Sequence, residues 1–83
     1  MMNDQNNLRE ELADAQHEIW SHWMRYMFSC GEFNSDGEWV MPEEKYDRWA
    51  RQMNTHYFEL SEKERESDRD QADKILVVLA KIK

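Results

Sequence analysis

Apolar positions recur at spacings of three and four from Leu8 onward: Leu8, Leu12, Ala15, Ile19, Trp23, Tyr26 and Cys30. That period belongs to one face of an α-helix, so the pattern predicts a first helix from about Leu8 to Cys30 with this face in the core. The segment "NLRE" reads as its start, with Asn7 accepting from a first-turn amide and Glu10 reaching back. Gly31 reads as its stop, because glycine commonly follows a helix C-cap. From His17 a second apolar face joins the first: His17, Trp20, Met24, Met27 and Phe28. The two together span more than half of the circumference, against roughly 100° for a helix with one buried side. The stretch "HEIWSHWMRYM" at 17–27 therefore meets neighbours on two sides. Its second face either packs on the rest of the chain, through Trp49 and Tyr57, or forms the edge of a binding site.

"GEFNSDGEWVMP" interrupts the helical period. Asn34 to Gly37 reads as a tight turn with Phe33 and Trp39–Val40 as extended flanks, a short hairpin-like turn. Pro42 followed by Glu43 and Glu44 opens a short second helix, because proline suits the first helical position and acids suit the positive end of the dipole. That helix carries Tyr46, Trp49, Ala50 and Met53 on one narrow stripe and ends near Asn54. "THYFEL" is an aromatic connection. "SEKE" at 61–64 is a second capping box, opening a last helix from Glu62 to about Ile82. Its first half is almost wholly charged, with Asp70 and Lys74 placed as an i,i+4 pair. Its end carries Ile75, Val78, Leu79 and Ile82 on one face, which Leu76 and Ala80 widen to about 200°. Such width predicts contact with more than one neighbour, a second copy of the chain (a homodimer) included. The fold expected is all-α: a single small three-helix domain over residues 1–83, with long antiparallel first and last helices, a short middle helix across them, and residues 1–6 flexible.

Composition narrows the function classes. A chain of 83 residues has a limited core, burying roughly 60–65% of its unfolded surface, and its four Trp, three Tyr and three Phe are the main means of filling it. A formal net charge of −7 disfavours nucleic acid and anionic membranes, and fits either a basic protein partner or simple solubility, a solvated surface being the commoner case. One cysteine, Cys30, makes no internal disulfide and suits a reducing cytoplasm. The polar, acidic "MMNDQNNLREE" is no secretory signal, and no apolar run approaches the roughly 20 residues of a membrane helix. A cytoplasmic protein is expected.

Candidate chemistry is sparse. Asn34, Asp36, Gly37 and Glu43 fall at EF-hand positions of a loop over 32–43, but Glu32, Trp39 and Val40 are wrong for calcium, and "NSDG" is an ordinary turn sequence. His17 and His22, five apart, point to different sides of the helix, and HExxH is missing, so zinc is not expected. No GxSxG, phosphate-binding glycine loop or dinucleotide fingerprint occurs. The chain is expected to be no enzyme and to carry no cofactor or metal.

The order His17-x-x-Trp20, a glycine after the helix, the aromatic "THYFEL" and then "LSEKERESDRDQADKIL" resembles the ryanodine-receptor-type repeat. The matching places are Leu60, Glu62, Lys63, Glu64, Asp68, Arg69 and Ala72, and the likeness runs over roughly residues 16–79. The family's tryptophan–tyrosine–glycine segment is replaced here by "GEFNSDGEWVMP". The chain is also similar to small phage and prophage proteins with a W-x-R and L-x-E-x-E-K-x-x-D-R pattern. The resemblance implies a helical module of a larger assembly or, in stand-alone relatives, a binder of nucleotide-like ligands in defence settings. From the residues themselves, Asp68 and Arg69 have a structural role open to them, pinning the last helix to the first or to the connection.

The function expected is thus a phage-encoded, non-enzymatic binding module. As an acidic protein-interaction protein it would occupy, and could inhibit, a host defence protein. As the alternative it would sequester a nucleotide-like small molecule by stacking on Trp20, Trp49 or Tyr57, with Arg48 or Arg51 contacting an anion. His17, Trp20, Met24, Arg48, Trp49, Arg51 and Tyr57 are the candidate site residues.

Overall fold

The structure, a computed structural model, describes residues 2–81, with side chains from Asn7 onward. Met1 and the side chains of 2–6, in the segment expected to be flexible, lie outside the described residues, as does Ile82, the expected end of the last helix. The first helix, α1 (Met2–Ser29), starts ahead of the expected cap, and Asn7 lies inside it. Extending a helix adds a hydrogen bond for each residue fixed and needs no new nucleus, so a long packed helix carries its polar end along. A two-stranded hairpin follows, β1 (Glu32–Phe33) and β2 (Trp39–Val40), with Glu32 opposite Val40 and Phe33 opposite Trp39. Then come α2 (Glu43–Met53), a 3-10 turn at Tyr57–Glu59, and α3 (Glu62–Ala80). Pro42 caps α2 from one place before its start, its carbonyl accepting from Lys45 and Tyr46 at 3.0 and 3.2 Å. The capping box of α3 forms as read: Ser61 Oγ accepts from the Glu64 amide at 3.2 Å, and Glu64 Oε1 from the Ser61 amide at 3.1 Å.

The two glycines do different work. Gly37 is the left-handed turn residue, at φ +82°. α1 ends at Ser29, just ahead of Gly31 as expected, but Gly31 is not left-handed. Its use is close approach: a Cβ there would lie 2.3 Å from Trp39 Cζ2 and 2.6 Å from the Val40 carbonyl oxygen. Trp39 in turn meets Phe28 edge to face at 5.8 Å, so Gly31 lets the hairpin fold back onto the end of α1. Gly31→Ala is expected to displace the hairpin and cost about 1–3 kcal/mol, as overpacking does. A thermal melt checks the cost, and tryptophan fluorescence checks the shift of Trp39.

α1 and α3 pack antiparallel. Ala15 and Val78 are buried in the seam, and the Lys81 ammonium reaches the Glu11 carboxylate at 3.8 Å. Leu60, at the junction of the 3-10 turn and α3, is the other buried apolar residue among those described. The expected Asp70–Lys74 pair does not form among the described residues. Instead Arg65 pairs with Glu62 at 2.8 Å, while Arg69 bonds both Glu62 and Glu66. The long, branched guanidinium reaches two acids one and two turns back, which a lysine cannot do bidentately.

These pairs set an acid limit. Hydrogen bonds from Arg65 and then Arg69 hold the Glu62 carboxyl below its ordinary value of 4.5. The Glu64 carboxyl is held down likewise, first by Arg51 and then by the Ser61 amide. A carboxyl depressed in the folded state stabilises the fold above its unfolded pKa, and that contribution disappears as pH falls through the folded value. The melting temperature is therefore expected to drop on acidification below about pH 4.5, the ordinary value for these groups. Glu62→Gln should flatten part of that slope in melts run across pH.

The molecule measures 55 × 33 × 17 Å. An α-helix with its side chains is about 10–12 Å across, so 33 Å holds three helices abreast and 17 Å little more than one layer. The radius of gyration, 16.9 Å, compares with about 12 Å for a compact domain of this length. Tyr26, expected in the core, is 41% exposed, because it stands where α2 replaces α3 as the neighbour of α1.

Candidate functional site

Two open clefts lie where the three helices meet. They share Trp23, Tyr26, Trp49 and Gln52 as a common wall. The first, about 690 Å³, is completed by Met24, Met27, Met53, Thr55, Tyr57, Leu60 and Asp68. The second, about 530 Å³, is completed by polar residues, among them His22, Arg48, Lys63, Glu64, Ser67, Asp70 and Gln71. On α3 the buried line is Gln71 and Val78. Asp68 flanks that line on one side and Ser67 and Asp70 on the other, so the clefts open on opposite faces of the layer.

The same division runs along both helices. On the side of the first cleft, α1 presents Leu12, Gln16, Trp20, Met24 and Met27, and α3 presents Asp68, Ala72, Ile75, Leu76 and Leu79. On the opposite side stand Glu11, Asp14, Glu18, Ser21 and Arg25 of α1 with Ser67, Asp70, Lys74 and Lys81 of α3. The Glu11–Lys81 pair bridges the helices on that polar side. One face is apolar and the other charged.

Each wall residue is held by its neighbours. Tyr26 and Trp49 lie 5.8 Å apart, tilted by 58°, and Trp23 meets Tyr26 edge to face at 6.3 Å. Arg48 donates from Nη2 to Tyr26 Oη at 3.5 Å. Arg69 donates from Nη1 to Tyr57 Oη at 3.4 Å, so Arg69 pins the aromatic connection to α3, the structural role open to it from the sequence. Bonds to Glu66 and then Glu62 raise the pKa of Arg69 above its ordinary value. Leu60 anchors the floor between Tyr57 and α3.

Of the residues singled out in the sequence, Met24, Trp49 and Tyr57 come together in the apolar cleft. Arg48 lines the polar one. Arg51 lies outside both, its Nη2 bonded to Glu64 Oε2 at 2.5 Å. His17 and Trp20 stand apart on the outer surface of α1. Their rings stack at 5.9 Å, His17 Nε2 meets Ser21 Oγ at 3.4 Å, and Trp20 is 54% exposed. Trp20 thus does not pack on α2. The sequence reading missed Trp23, Met27, Met53 and Leu60 as site residues. The signal was three methionines, at 24, 27 and 53, facing aromatic residues, a composition suited to adaptable apolar binding.

The loop at 32–43 is a hairpin. Asn34 Oδ1 accepts from the amides of Asp36 and Glu38 at 2.9 and 3.0 Å, so the side chain at the third loop place is spent on the turn. Among the described residues no cluster of His, Cys, Asp or Glu is placed to hold a metal ion. Melting temperatures in calcium and in chelator are expected to coincide, since an ion held by the native state alone would raise the melt by mass action. No described helix is long and apolar enough to cross a membrane.

Compared with known proteins, the chain matches no protein-family model, no curated protein and no solved structure.

Proposed function

We propose that this protein is a non-enzymatic interaction module that takes an apolar anchor of a partner protein into its aromatic and methionine-lined cleft. The observation that carries this is the cleft itself: about 690 Å³, open, walled by Trp23, Met24, Met27, Trp49, Met53 and Tyr57, and left unfilled by the chain's own side chains. Interface cores favour aromatic residues and methionine, and hot spots cluster in such pockets. A net charge of −7 adds selection for a partner whose contact rim is basic. With the likeness to small phage proteins, the partner is a host-cell protein, and covering its surface would inhibit it.

The second reading is a small polar or nucleotide-like ligand in the other cleft. Gln71 favours it: 9% exposed, it lines that cleft beside Trp23 and Trp49, and its Oε1 has no hydrogen-bond partner among the described residues. A buried acceptor left unpaired costs stability that a donor on a ligand would recover.

One experiment separates the two. Tagged wild-type protein and Met24→Arg, both shown helical by circular dichroism, are used to capture proteins from a host lysate at low and high salt. The eluates are also assayed for nucleotides. Protein interaction predicts a protein retained by the wild type, weakened by salt and lost with Met24→Arg. Retention unaffected by Met24→Arg, or no retained protein, contradicts it. A nucleotide in the eluate that Gln71→Leu removes establishes the second reading.

A further inference from the structure

We infer that two copies of this chain associate through the apolar face of the α1–α3 layer, at the end away from the clefts, and complete a four-helix bundle. The surface area comes first. The chain exposes 7106 Å², against about 5,300 Å² for a compact monomer of its mass, a surplus of roughly 1,800 Å². Half of that surplus is what one partner of a standard protein interface buries, about 800 Å². Part of the exposed surface is an apolar strip on this face: Leu76 and Leu79 of α3 are exposed beside Ile75 and Ala72, with Leu12 and Ile19 of α1 only half-buried opposite them, while Phe33, Met53 and Phe58 are exposed on the hairpin, α2 and the 3-10 turn.

Charge identifies the occupant. On this face α1 carries Arg9, Leu12, Ala13, Gln16 and Trp20, and α3 carries Ala72, Ile75, Leu76 and Leu79. None of these is a carboxylate, in a chain with 18 Asp and Glu. Away from the cleft and Asp68 this strip offers a basic partner no counter-charge, and its one charge is Arg9 near the end of α1, so its apolar middle suits an identical strip. The acids lie on the opposite side and the edges, where two copies stacked face to face keep them apart and in water. Geometry agrees with charge. One antiparallel pair of helices is a single layer, and a helical layer with one apolar face is stable only against a second layer. Two such pairs related by a two-fold axis form a four-helix bundle, the closed and self-complementary arrangement. The clefts, at the far ends of the dimer, stay open, so this association does not depend on the function proposed above.

Light scattering across a concentration series tests it. The wild type is expected at twice the chain mass of 10.2 kDa, and Leu76→Glu with Leu79→Glu at the single mass. Val77→Glu, on the other side of the same helix turn, is expected to leave the dimer intact, which separates loss of the interface from loss of the helix. Cross-linking reads the same contact without a disruptive charge. In a Cys30→Ser background, Leu76→Cys should form an intermolecular disulfide under mild oxidant at least tenfold faster than Val77→Cys. A wild type that stays at 10.2 kDa at the highest concentration overturns the inference. So do equal cross-linking rates at 76 and 77.

Discussion

Trp23→Ala is expected to unfold the protein, whereas Trp20→Ala, three residues away on the same helix, is expected to leave it folded. Trp23 stands in the wall common to both clefts and meets Tyr26 edge to face, at the point where α1, α2 and α3 converge. Removing an indole from such a position costs about 3 kcal/mol or more, through lost transfer energy and the cavity left behind. A small domain with three buried apolar residues among those described has little stability to give up. Trp20 has a different setting. Its ring stacks on His17 at 5.9 Å and is otherwise on the outside of α1, so its loss removes under about 1 kcal/mol of intrachain packing. Circular dichroism and thermal melts on the two variants read the difference. Equal collapse of both would mean that the second face of α1 is packed within the chain.

Leu60→Ala is the second large effect, expected at about 2–4 kcal/mol. Leu60 is 8% exposed and sits between the 3-10 turn and the capping box of α3. Its side chain joins Tyr57 to the helix layer and forms part of the floor of the apolar cleft. Shortening it removes buried methyl groups and also loosens the connection that Arg69 holds through Tyr57. Urea unfolding should show a lower midpoint, and an apolar dye should bind more strongly as the floor opens. A midpoint unchanged within error would mean that Leu60 is not part of the core.

The helices were legible because each has a strong local cause: the apolar period of Leu12, Ala15 and Ile19, the acids after Pro42, the capping box at Ser61 and Glu64. The hairpin was legible for the same reason, since Asn34 and Gly37 define their turn locally. The start of α1 was not, because a cap signal at Asn7 competes with simple extension of an existing helix. The role of Gly31 was hidden too, because it depends on Trp39, which only the folded hairpin brings near. Most of the cleft escaped for a related reason. Periodicity tells that Trp23 and Met24 differ in direction along α1, but not that α2 stands off far enough to leave the space between them open. Nor does a wide apolar arc reveal whether the second neighbour is the same chain or another one. Seventeen ångströms of thickness decide that no described helix covers it.

The claim that this apolar face is a contact surface is tested most directly by hydroxyl-radical footprinting of the full chain at micromolar concentration. Phe33, on the hairpin and 74% exposed, is the internal reference for a side chain in water. Leu76 and Leu79, 59% and 46% exposed in the isolated chain, should be protected several-fold beyond what those exposures allow. Oxidation of both in proportion to their exposure, alongside Phe33, would contradict the claim, because the face would then be standing in water.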